Sequence, residues 1–345
     1  MSRSGQVAIR RQKCERLRIL MVGGAGFVGS YTVRSLKDAG HDITILDPGY
    51  SYPGTQGSPM RAFNLERRGR ELIGNTRRYY HCATDESAVK KVMSETKPEV
   101  IVHLGNWPLT SIPDCHVREA HDQTVIGCHR LMAHLPREGL RRFVYVSSSM
   151  VYGDLGNTPI PENAVCRPYT FYGKLKLECE GAVVDSCRRA DVEAVIVRPT
   201  GVYGSGDVNL RVVQRFLEGA CFGTPLQVVN SLTTFLDFTH VTDTAQGLAL
   251  AAVRDSAAGQ VFNISSGRSQ SLSDLVNIVR QSFEEIDLQE IQEGGSWHCR
   301  SLDISKAKEL LDFHPRIDLE TGVTEYAEDI RSFAKQLQFE QTPVH

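Results

Sequence analysis

Residues 17–47, LRILMVGGAGFVGSYTVRSLKDAGHDITILD, decide the fold. Leu17 to Val22 is a short apolar run that ends in glycines, and the residues after it carry a helical pattern to about Ala39. Gly40 stops that helix, and a second apolar run, Asp42 to Leu46, closes on Asp47. Strand, glycine turn, helix and strand make a βαβ unit. Gly23, Gly26 and Gly29 sit where a turn must be tight, where backbone must approach a ligand closely, and where helix must pack on strand. Such a turn offers unpaired N–H groups to a pyrophosphate, although glycines alone also fit a merely tight connection. Asp47 strengthens the dinucleotide reading, because a carboxylate roughly twenty residues past the turn accepts hydrogen bonds from both ribose hydroxyls. It also repels a 2′-phosphate, and Pro48, Gly49 and Tyr50 bring no arginine to offset that, so NAD is expected over NADP.

Outward from this unit, further strands read as Glu99 to Leu104, Phe143 to Ser147, Ala194 to Arg198 and Val261 to Ile264, with helices near 86–96, 117–135 and 171–188. The alternation predicts an α/β fold, a doubly wound parallel sheet of the Rossmann type. After Gly204 it loosens. A nucleotide-binding domain over 17–204 plus 237–264 is therefore expected, with a smaller discontinuous α/β lobe for substrate over 205–236 plus 265–335 and tails at 1–16 and 336–345.

Composition narrows the function classes. The 345 residues, 41% hydrophobic and 23% charged, suit a globular protein with one large core and a satellite. A net charge of -2 leaves no basic face for nucleic acid. No apolar run reaches the ~18 residues of a membrane span. Nine cysteines without a Cys-x-x-Cys pair fit free thiols in a reducing compartment, so a cytosolic location is expected and a zinc site is not. The arginine-rich start, MSRSGQVAIRRQKCERLR, lacks the apolar centre of a secretory signal and reads as a flexible tail; its scarcity of acids also suits an organelle transit peptide.

The chemistry is carried by VYVSSSMVYGD and FYGKLK. The first places Ser147, Ser148 and Ser149 at the C-terminal end of a strand, the edge where open parallel sheets bind ligands. The second places Tyr172 and Lys176 on one helix face. A phenol is a poor base at neutral pH, and an adjacent ammonium together with an oxidised nicotinamide is expected to lower its pKa. Tyr172 then takes a hydroxyl proton, Lys176 bonds the nicotinamide ribose, and a serine holds the reacting oxygen while hydride leaves for the cofactor.

From about Arg18 to Phe333 the chain resembles an extended short-chain dehydrogenase/reductase of the NAD-dependent epimerase/dehydratase family, typified by UDP-galactose 4-epimerase. The likeness rests on GGAGFVGS, IVHLGN, FVYVSSSMVYG, FYGKLK, VRPTGVYG, DFTHVTD, FNISSG and RSLDISKAKELLDFHP, in the family's order. It implies that Gly23, Gly26, Phe27, Val28, Gly29, Asp47 and Leu104 bind NAD, with Tyr172 and Lys176. It implies a catalytic triad of Ser148, Tyr172 and Lys176, with Ser148 chosen because it lies four residues before Tyr152. Substrate contacts are implied for Ser148, Ser149, Tyr172 and Arg300, the arginine matching one that grips a nucleotide diphosphate, and a homodimer pairing through helices 117–135 and 171–188.

Departures from the pattern bear on the reaction. Members that dehydrate or decarboxylate sugars carry an acid where this chain has Met150, and a thioether moves no proton. That leaves a nucleotide-sugar epimerase, or an NAD-dependent dehydrogenase or reductase of a sugar or other secondary alcohol without a nucleotide; a non-catalytic NAD sensor is the reading of another class. Gly201 and Leu236 stand where sugar-nucleotide members use Asn and Arg, Cys82 where an aspartate touches adenine, and Thr124 where an asparagine lies near the site. His103 and His240 read as structural, Asp237 and Asp243 as loop-holding, and Asn106 and Trp107 as lining the substrate pocket.

Overall fold

The computed structural model describes residues 15–49, 58–107, 114–153, 158–229, 232, 234–283, 286–291 and 301–340. Its strands are β1 Arg18–Val22, β2 Asp42–Leu46, β3 Arg77–Tyr79, β4 Val100–His103, β5 Arg142–Val146, β6 Glu193–Pro199, β7 Val202–Tyr203, β8 Leu226–Val229, β9 Phe235–Leu236, β10 Thr239–His240, β11 Val261–Ile264, β12 Gln270–Ser271 and β13 Leu288–Ile291. Its helices are α1 Phe27–Asp38, α2 Arg61–Arg67, α3 Glu86–Thr96, α4 Val117–His121, α5 Gly127–Ala133, α6 Phe171–Ala190, α7 Val212–Phe222, α8 Val241–Val253, α9 Leu272–Ser282, α10 Ser305–Leu311 and α11 Leu319–Glu340.

Seven strands form one sheet in the order β11-β6-β5-β4-β1-β2-β3, every neighbouring pair parallel. The chain runs outward from β1 to β3, then returns past β1 to β4, which leaves a crevice at the switch between β1 and β4 where such sheets bind ligands. Because successive side chains point to opposite faces and both faces are covered, the central strands β1, β4 and β5 are apolar apart from their end residues Arg18, His103 and Arg142. Ile19, Met21, Val100, Val102, Val144 and Val146 pack toward α1 and α8. Leu20, Val22, Ile101, Phe143 and Tyr145 pack toward α3, α5 and α6.

A second core joins α7, α9 and α11 around Phe216, Leu275, Val323 and Ile330, and takes in Met60 and Tyr203. The segments 205–236 and 265–335 contribute the short pairs β9–β12 and β8–β13, and β7–β10 is a third two-stranded pair beside the main sheet. No helix among the described residues is long and apolar enough to cross a membrane. The seven described cysteines are all free thiols.

The structure differs from the sequence reading in four places. β3 was absent from it because RRY carries no apolar run; an edge strand needs only backbone pairing, here to Thr44–Leu46. α2 and the π-helical turn Arg68–Ile73 that continues it were hidden by five charged residues in eight. The helix expected over 117–135 is α4 and α5 joined by a π-helical turn at Asp122–Ile126, ending at Ala133. A tail expected from 336 is instead helical to Glu340, because Phe333 and Leu337, four apart, keep α11 docked on the second core.

Candidate active site

The glycine turn is shaped by close contact. Gly23 has φ +82°, and a Cβ there would lie 2.7 Å from the Gly105 backbone nitrogen. At Gly29 a Cβ would lie 2.3 Å from the Gly23 carbonyl oxygen, so α1 seats directly on the end of β1. Gly26 caps α1 without a side chain, which leaves the N–H groups of Phe27 and Val28 facing the cleft with no intrahelical acceptor. The cleft holds about 270 Å³ and is lined also by Asp47, Arg68, Arg78 and Cys82. Asp47 accepts from the Ala25 N–H (2.9 Å), the Gly49 N–H (2.8 Å) and Arg78 Nη2 (3.1 Å). A carboxylate has about four acceptor sites, so Asp47 as arranged has room for one ribose hydroxyl rather than two. Arg78 also corrects the reasoning about cofactor choice: the arginine beside Asp47 comes from β3, not from positions 48–50, and Tyr50 lies outside the described residues. A cradle that any Cβ would fill, orphan helix N–H groups and a carboxylate lining the same cleft together fit a dinucleotide.

The cleft continues into a second chamber of about 400 Å³ that shares Gly23, Gly26 and Phe27, and where Val28, Leu104, Ser148, Tyr172 and Lys176 meet. After β5 the chain extends through Ser148 into a turn at Ser149–Val151, and the Ser148 hydroxyl accepts from the Met150 N–H at 3.2 Å. Thr170 caps α6 by accepting from the Gly173 N–H at 3.1 Å, which fixes Tyr172 in the first turn. Gly173 lets that turn press on the serine loop, since a Cβ there would lie 2.5 Å from the Met150 carbonyl oxygen. Lys176 is 1% exposed; its Nζ donates to the Val146 carbonyl at 2.7 Å and lies 5.8 Å from the Tyr172 ring centroid. Burial pulls its pKa down to about 8.

The lowering of the Tyr172 pKa was expected from Lys176 together with an oxidised nicotinamide; in the protein alone the phenol is raised, because burial outweighs the pull of Arg211, Ser148 and Asn106.

Among the remaining candidates, Ser149 lines the second chamber, and Asn106 does too. Trp107 is not among its lining residues: the indole is fully buried against the His116 ring, and the Trp107 backbone N–H donates to Thr124 Oγ1 at 3.2 Å. Arg300 lies outside the described residues. Asp243 accepts from the backbone of Arg316 and Ile317, both at 3.0 Å. Asp237 borders the chamber but is engaged by Ser266 Oγ (2.6 Å) and the Leu302 N–H (3.0 Å). Gly201, with φ +52°, backs so closely on the Asp237 carbonyl that no side chain fits there. No cluster of three potential metal ligands occurs among the described residues. Sequence reading missed Asn209 and Arg211, which line the same chamber. Arg211 is held by both Asp207 oxygens at 2.7 Å, and an i,i+4 pair of that kind looks in sequence like a solvated helix face.

The family model for the NAD dependent epimerase/dehydratase family matches residues 19–265. The chain belongs to that family. It is an extended short-chain dehydrogenase/reductase and an NAD-dependent enzyme. Among the family's curated members, UDP-glucose 4-epimerase of Dictyostelium discoideum is 26% identical over 296 residues, 79% of this chain and 83% of that one. Two solved structures share the fold. UDP-glucuronic acid 4-epimerase from Bacillus cereus, with UDP-glucuronic acid and NAD, has a TM-score of 0.81 at 22% identity, covering 91% of this chain and 99% of the other. The dTDP-glucose 4,6-dehydratase of Bacillus anthracis, with NAD, has a TM-score of 0.77 at 19% identity, covering 92% and 98%. Epimerases and a dehydratase thus lie on the same backbone, and the reaction is decided by side chains.

Proposed function

We propose that this family member is a nucleotide-sugar epimerase that oxidises one sugar hydroxyl to a ketone and returns the hydride to the opposite face. The observation that carries this reading is the second chamber itself, which gathers Ser148, Tyr172 and Lys176 while its single carboxylate among the described lining residues, Asp237, is tied to Ser266 and Leu302. Elimination of water needs an acid and a base placed beside the sugar. The Met150 thioether supplies neither.

NAD, held by the glycine turn, supplies the hydride acceptor. Tyr172 receives the proton of the sugar hydroxyl, and Ser148 donates a hydrogen bond to the same oxygen. Lys176 has two N–H donors left beyond the one given to Val146, enough to orient the nicotinamide ribose. Arg211 and Asn209 at the chamber wall answer for the missing polar contacts at Gly201 and Leu236, and a fixed guanidinium there suits a diphosphate. The lobe around the second core holds the rest of the substrate, and two copies pair through α4 to α6.

The competing reading is a net dehydrogenase of an alcohol without a nucleotide, favoured by the apolar Leu236 in the wall. A thermal-shift screen of UDP, GDP, CDP and dTDP sugars with NAD present, followed by product analysis, separates the two. We expect one class to raise the melting temperature and to be converted to an epimer without net NADH, and Tyr172→Phe to lower turnover roughly 10²- to 10⁴-fold. A silent screen, or stoichiometric NADH from a nucleotide-free alcohol, overturns the epimerase reading.

A further inference from the structure

Two consecutive arginines, the last residue of α2 and the first of the π-helical turn, are treated differently. Arg67 is satisfied, donating to Ser205 Oγ, to Asp329 and to Glu71. Arg68 is 5% exposed, and its Nε has no hydrogen-bond partner among the described residues. The carboxylates whose fields act on it most are Asp207 and Asp47. Both are engaged elsewhere. Asp207 accepts from the Val208 and Asn209 N–H groups, from Asn209 Nδ2 and from Arg211. Asp47 accepts from Ala25, Gly49 and Arg78.

A guanidinium with a buried Nε donor unfilled is costly unless an anion meets it. Burial acts on Arg68 accordingly, pulling its pKa down. Its stem passes the Gly206 loop, with Cγ 3.5 Å from where a Gly206 Cβ would stand, and the side chain lines the first cleft together with Gly26, Phe27 and Asp47. The same cleft is lined by the N-terminus of α1, whose N–H groups favour negative charge.

We propose that Arg68 is a cofactor-binding residue that contacts the diphosphate of the dinucleotide in the cleft it shares with the glycine turn. The phosphate chemistry is shared by a second source, the extra 2′-phosphate of NADP, and the experiment distinguishes them. The proposal rests on NAD dependence and not on the epimerase reading, so a protein that turned over no nucleotide sugar would leave it standing.

The test is calorimetric titration of the full chain and of Arg68→Met and Arg68→Lys with NAD, NADP, ADP and adenosine, with melting temperatures alongside. We expect Arg68→Met to bind NAD and ADP on the order of 10- to 100-fold more weakly, as suits the loss of a charge-assisted hydrogen bond. Adenosine, which has no phosphate, binds unchanged, and Arg68→Lys falls between. Without nucleotide Arg68→Met melts no lower than the parent, since methionine fills the space without a buried charge, while the rise produced by NAD shrinks. Equal losses for ADP and adenosine, a loss confined to NADP, unchanged nucleotide affinity, or a lowered melting temperature with the NAD-induced rise intact would each overturn it.

Discussion

At the residue, the proposed chemistry turns on how a phenol whose pKa burial raises is made into a base. In the protein alone Tyr172 is raised above its ordinary value of 10.0, with Arg211 the largest opposing influence. A positive charge added at the nicotinamide position favours the phenolate, so the sign of the cofactor effect is downward. A near-ultraviolet difference titration of the parent against Tyr172→Phe tests this: the Tyr172 phenolate is expected at lower pH with NAD⁺ bound than with NADH bound. Identical midpoints in the two redox states would remove the cofactor from the activation of Tyr172. The Tyr172 and Lys176 pair was legible in sequence because a four-residue spacing on a helix is local. The direction of the phenol's shift was not, since it depends on burial supplied by β5, the serine loop and Arg211, which come from other parts of the chain.

At the element, the first turn of α6 is the part most sensitive to small changes. Thr170 caps it, and Gly173 lets it approach the Ser148 loop within contact distance. A methyl group at 173 would stand 2.5 Å from the Met150 carbonyl oxygen and 2.9 Å from Pro168 Cβ, so Gly173→Ala must push helix and loop apart. We expect it to cost about 1–3 kcal/mol in urea unfolding and to lower turnover while NAD affinity stays near the parent's, because the glycine turn is elsewhere. Parent-like stability and turnover would show that the contact does not position Tyr172. The helix itself was legible from FYGKLK onward; the demand for glycine at 173 was not, because only the returning loop after β5 creates it.

At the whole molecule, two buried histidines tie stability to pH. Burial pulls His103 down to about 3, helped by Lys176 on α6, and His240 down to about 4 against the opposing pull of Asp243. Both stay neutral in the fold, whereas in the unfolded chain they take up protons near 6.5. Below that value the unfolded state binds more protons, so their contribution is full above pH 6.5, falls with acidification and is gone below about 3. Urea unfolding of His103→Phe at a series of pH values is expected to show a shallower loss between pH 6.5 and 3 than the parent. Parallel curves would place the acid sensitivity in other groups.

The sequence by itself determined six of the seven strands of the main sheet, the glycine turn at Gly23 to Gly29, the place of Asp47 just after β2 and the spacing of Ser148, Tyr172 and Lys176. Each of these is written in residues that are neighbours along the chain or share one period of a strand or helix. Only the tertiary structure decided what surrounds them. Arg68 from the π-helical turn, Arg78 from an edge strand and Arg211 from the segment after β7 converge on the two adjoining clefts, and Trp107 is buried rather than among the lining residues. Their roles depend on which distant carboxylates are already engaged. That is a property of packed side chains, and no spacing along the chain encodes it.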